Sequence, residues 1–125
     1  MNIKRLSLLT LLLSAAAGVS AQNSISHIES SGSWYYIYDH TGKKYATISS
    51  SIGQLQGFSA SFFVVRSGSW YYIYDAAGKK RHTMSVSSVG EILSVAGDTF
   101  TSRSGAWVYT WNSEGKKLST RSAPR

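Results

Sequence analysis

The chain has 125 residues, with 13 Lys and Arg against 6 Asp and Glu, a formal net charge of +7, 13% aromatic residues and no cysteine. Without cysteine there are no disulfides and no thiolate metal sites, so a small exported domain must rely on packing, hydrogen bonding or self-association.

The first element reads as an export signal. Lys4 and Arg5 precede an apolar run from Leu6 to Leu13, and small residues lead to Val19-Ser20-Ala21. A charged start, a short hydrophobic stretch and a small-x-small processing site predict a secretory signal peptide over residues 1–21, cleaved after Ala21. The run is shorter than the roughly 20 apolar residues of a membrane-spanning helix, so no transmembrane anchor is expected. Processing would leave residues 22–125 as one domain with 11 basic and 6 acidic side chains, in the periplasm or outside the cell.

Internal repetition organises everything that follows. The segment Ser31-Gly-Ser-Trp-Tyr-Tyr-Ile-Tyr-Asp-His-Thr-Gly-Lys-Lys44 returns almost unchanged at 67–80 and more loosely at 104–117. Units therefore start near 31, 67 and 104. Counted this way, the first copy begins late and the last stops near Ser122, lacking its fourth strand. Dense β-formers such as Trp34-Tyr-Tyr-Ile-Tyr38 predict strands. Asp39-His-Thr-Gly42, Asp75-Ala-Ala-Gly78 and Asn112-Ser-Glu-Gly115 predict type I turns with a glycine bulge between antiparallel strands. Tight reversals are expected at Ser31-Gly32, Ser67-Gly68 and Ser104-Gly105.

The predicted strands are 24–30, 33–39, 43–49, 53–58, 61–66, 69–75, 79–86, 90–95, 99–103, 106–112 and 116–121, with almost no helix. The fold class is all-β, a three-fold internal repeat of antiparallel hairpins. Its assembly is propeller-blade-like or a meander, with a β-trefoil as the alternative.

Alternation places Trp34, Tyr36 and Tyr38 on one strand face, matched by Trp70, Tyr72 and Tyr74 and by Trp107, Tyr109 and Trp111. The opposite face carries Tyr35 and Ile37, then Tyr71 and Ile73, but Val108 and Thr110 in the last copy. As core residues the tryptophans would supply apolar area, and removing Trp70 would then cost roughly 3–5 kcal/mol. As exposed residues, Trp34, Trp70, Trp107, Tyr35 and Tyr71 would form platforms for sugar faces or cations. The first lysine of each pair after the turn, Lys43, Lys79 and Lys116, would add a basic rim that attracts anions or simply keeps strand edges soluble.

An exported location directs that charge toward anionic glycans or envelope components rather than nucleic acid. His27, His40 and His82 occupy unrelated positions in the three copies, and no catalytic motif is present. The expected function is therefore non-catalytic binding of a glycan-like or anionic envelope component, without cofactor or metal. The rival is a structural, self-associating or protein-binding module whose aromatic face is buried.

The string Gly-Ser-Trp-Tyr-Tyr-Ile-Tyr-Asp-x-x-Gly-Lys at 32–43 and 68–79 resembles the tryptophan-tyrosine hairpins of cell-wall-binding repeats, the choline-binding type especially. That resemblance implies aromatic enclosure of a quaternary ammonium group by Trp34, Tyr36, Trp70 and Tyr72. It spans the hairpin alone, and the repeat length differs.

Overall fold

The computed structural model describes residues 24–124; the signal peptide expected over 1–21 lies outside them. Eleven strands form three antiparallel sheets. The first contains β1 (His27–Ser31), β2 (Trp34–Tyr38) and β3 (Lys44–Ser49). The second contains β4 (Gln54–Phe58), β5 (Phe62–Ser67), β6 (Trp70–Asp75) and β7 (Lys80–Ser85), and the third β8 (Glu91–Ala96), β9 (Thr99–Ser104), β10 (Trp107–Asn112) and β11 (Lys117–Ser122). Each expected strand has its counterpart, with ends displaced by at most three residues.

The turns form for the reasons their residues suggest. Asp39 Oδ1 accepts from the backbone N–H of Thr41 and Lys43, and Gly42 takes a φ of 86°. Asp75 and Asn112 repeat the arrangement. Where the turn meets the sheet, Tyr45, Arg81 and Leu118 are the extra residues of three equivalent bulges.

Among the described residues helix is confined to the two crossovers between sheets, a 3-10 turn at Ser50–Ile52 and one turn, α1, at Val86–Val89. Ser49 and Ser85 cap them by accepting from the N–H of Ser51 and Ser87. Gly53 and Gly90 end them with positive φ. A Cβ at Gly90 would stand 2.2 Å from the Arg103 carbonyl oxygen, and one at Gly53 2.5 Å from that of Arg66. The crossovers thus run tightly against the next sheet.

Two expectations are corrected. The third sheet has all four strands, and it is the first that has three. Sheets break at the crossovers after Ser49 and Ser85, whereas the sequence repeat counted from Ser31 straddles that break. Among the described residues no barrel or propeller ring closes, so the trefoil alternative, which requires a barrel, is not the architecture.

The sheets pack face to face by one repeated step. Tyr35 and Ile37 of the first sheet meet Phe63, Val65 and Ala76 of the second; Tyr71, Ile73 and Val64 of the second meet Phe100 and Trp111 of the third. The step is visible at the turns too, where Ile48 packs on Gly78 and its counterpart Met84 on Gly115. Ile37, Ile73, Val64 and Val65 are at most 1% exposed; burying each such side chain is worth ~1.5–3 kcal/mol.

The second interface exchanges two residues together. Trp111 and Ser102 stand where the first interface has Tyr74 and Val65. The buried Ser102 hydroxyl accepts from the Trp111 indole N–H at 2.9 Å and donates to the Val89 carbonyl at 2.7 Å. A larger ring with a donor therefore comes with the acceptor it needs.

At the far end of the stack the third sheet's outward face is polar at its paired strand positions, while the bulge residue Leu118, at the place of Tyr45, is exposed. Thr101 and Thr110 occupy the places of Val64 and Ile73, and Ser119 and Arg121 those of His82 and Met84. Val108 remains covered between its register partners Arg103 and Arg121. The near end, the Trp34, Tyr36 and Tyr38 face of the first sheet, keeps its aromatic character.

Candidate functional site

Trp34, Trp70 and Trp107 each open the strand that follows a glycine turn, and they are 46%, 48% and 49% exposed. The cause is their register. Trp34 lies between Ser31 and Ser49, Trp70 between Ser67 and Ser85, and Trp107 between Ser104 and Ser122. Serine on both flanks is too short to cover an indole, so one side of each ring stays open. The ring thus recurs once per sheet, at the glycine-turn end of the strand it opens.

Tyr35 and Tyr71 are placed differently. Both are buried, at 6% and 1% exposure, and their rings are unavailable to a ligand. Each hydroxyl donates to a crossover carbonyl at 2.7 Å, Tyr35 to Gly53 and Tyr71 to Gly90, and burial raises the Tyr71 pKa above its ordinary value. In the third sheet Val108 stands in this tyrosine's place, and among the described residues no crossover follows that sheet.

The lysine pairs divide by face. Lys44, Lys80 and Lys117 reach over the rings of Tyr36, Tyr72 and Tyr109 at 4.4, 4.7 and 4.3 Å. Tyr36 and Tyr72, two of the four rings that the cell-wall-repeat resemblance would give to a foreign ammonium, thus already meet the chain's own. Lys43, Lys79 and Lys116 are exposed at the turn end of the strands. The structure does not bring them to the tryptophans: four residue steps from Trp34 to Tyr38 alone span ~13 Å.

The first sheet extends the aromatic surface. Among the described residues no sheet covers its Trp34, Tyr36 and Tyr38 face, and Tyr38 donates to Glu29 Oε1 at 3.2 Å beside the His27 ring. Desolvation and the Glu29 bond raise the Tyr38 pKa. Rings edged by hydroxyls, a carboxylate and an ammonium suit a polyol with apolar faces.

The signal that separates platform from core was in the sequence, as the serines three residues before and fifteen after each tryptophan. Among the described residues no group of three or more His, Asp or Glu is placed to hold a metal, and no helix is long and apolar enough to cross a membrane. Compared with known proteins, the chain matches no family model, no curated protein and no solved structure.

Proposed function

We propose that this is an exported, non-catalytic binding protein that holds a glycan of the envelope or extracellular space along Trp34, Trp70 and Trp107. The observation that carries the reading is the half-exposure of these three rings at equivalent positions, each between two serines. A repeated platform suits a repeated ligand, because several weak stacking contacts on one chain add through effective concentration. The signal-like segment at 1–21 and the net positive charge support an anionic or neutral glycan outside the cytoplasm.

The test is co-sedimentation with insoluble wall polysaccharides, followed by tryptophan fluorescence titration with soluble fragments. Single Trp→Ala variants should each weaken retention and the triple variant should abolish it while still unfolding cooperatively in urea. Full retention by a folded triple variant would remove the proposal.

A second reading draws on the first sheet's uncovered Trp34, Tyr36 and Tyr38. Tyr72 and Tyr74 in the second sheet and Tyr109 and Trp111 in the third, the counterparts of Tyr36 and Tyr38, pack against a neighbouring sheet, so this face would serve protein docking. A mass measurement in solution with and without Tyr36→Ser separates it from the first.

A further inference from the structure

The two sheet interfaces also differ beside the turn, and there the second one is open. In the first interface the bulge residue Tyr45 fills the space beside the β6–β7 turn, and its hydroxyl donates to the Ala76 carbonyl at 2.6 Å. The matching residues of the second interface are Arg81 for Tyr45, His82 for Ala46, and Ser113-Glu114 for Ala76-Ala77. Where tyrosine closed the gap, a cleft of about 500 Å³ remains between the second and third sheets. That is within the size range of small-molecule sites.

The cleft has an apolar floor and polar walls. Phe62 and Ile73, both buried, lie below; Arg81, His82 and Asp75 stand on one side, and Ser113 and Glu114 on the other. Arg81 meets Asp75 through Nε at 3.5 Å, which orients the guanidinium and leaves its terminal nitrogens for another acceptor. Arg81 and Asp75 offset one another in formal charge, Glu114 stands opposite, and the Lys80 ammonium lies over Tyr72 on the other face of the sheet. A dianion such as phosphate would face two carboxylates at close range. A monoanionic carboxylate matches the guanidinium fork, and neighbouring hydroxyls can donate to Asp75 and Glu114.

We infer that this cleft binds an acidic sugar residue of the hexuronate class, its carboxylate on Arg81, its ring over Ile73 and Phe62, and its hydroxyls on Asp75 and Glu114. The inference deepens the glycan reading by naming a sugar class, yet the cleft is separate from the tryptophan row and is tested separately.

The experiment is an NMR titration of the protein with glucuronate, glucose and inorganic phosphate, following the backbone amides of Arg81, His82 and Ser113. Glucuronate should give saturable shifts there, with glucose and phosphate giving none. Arg81→Tyr, which restores the first interface's residue, should eliminate the shifts and raise the thermal midpoint. Arg81→Gln should weaken binding about tenfold or more, the scale of losing a hydrogen bond to a charged group. The Trp34/Trp70/Trp107 triple alanine variant should leave cleft binding intact, so full retention of polysaccharide by that variant would strike the platform and not the cleft. No saturable shift with glucuronate, an equal response to phosphate or glucose, or unchanged binding in Arg81→Tyr would overturn the inference.

Discussion

Tyr35→Phe isolates the hydroxyl that ties the first sheet to the crossover. The phenylalanine ring keeps the packing of a side chain only 6% exposed, so what disappears is polar. The hydroxyl donates to the Gly53 carbonyl at 2.7 Å and accepts from the Leu55 N–H at 3.1 Å, and both partners lie where the chain enters β4. Each bond is worth about 1 kcal/mol net, and leaving part-buried backbone groups unpaired raises the loss to about 2–3 kcal/mol in total. Urea unfolding should show a lower midpoint with an unchanged slope, because the surface exposed on unfolding is the same. The thermal midpoint should drop by about 10 °C or more. A loss within the ~0.5 kcal/mol of an ordinary surface substitution would refute the idea that this hydroxyl secures the crossover.

The other tests address the turns and the platform. Gly90→Ala combines a φ of 88° with a Cβ 2.2 Å from a carbonyl oxygen and should unfold the third sheet, whereas Gly97→Ala, with φ 59° and open space, should cost only about 1–2 kcal/mol by urea titration. Trp70→Ala should cost about 2 kcal/mol, half the loss expected of a buried ring, because 48% of the residue is exposed. The Asp39 carboxyl is held below its ordinary pKa by the Thr41 hydroxyl and then the Lys43 N–H. Its contribution is therefore present above the unfolded-state pKa and lost as pH falls through the folded value. Asp39→Asn, which copies Asn112, should remove this turn's share of acid sensitivity; thermal midpoints taken from neutral to acid pH for both proteins check it.

The sequence made the strands and turns legible because both signals are local. Trp-Tyr-Tyr-Ile-Tyr is β-forming whatever surrounds it, and Asp-x-x-Gly builds its own turn from its own amides. Which aromatic lay inside was harder to read. Tryptophan is the larger apolar residue, so Trp34, Trp70 and Trp107 resembled core and Tyr35 and Tyr71 a surface. The structure reverses this, since exposure depends on cross-strand neighbours fifteen residues away and burial of Tyr35 depends on a crossover twenty residues on. The loss of tyrosine at Val108 was the visible hint. The cleft was hidden for a similar reason: Arg81 for Tyr45 is an ordinary difference between loose repeats until the turn of another sheet is set against it.

The polar outer surface of the last sheet has a consequence for growth. A screw made by repeating one step has no intrinsic length, and any copy whose tail fits another's head would elongate into a fibre. Thr101, Thr110 and Arg121 work against that growth, since they replace the valine, isoleucine and methionine of the second sheet, and Val108 has no hydroxyl to pin a following linker. Restoring valine, isoleucine and methionine there, with tyrosine at 108, should turn a finite object into a polymerising one.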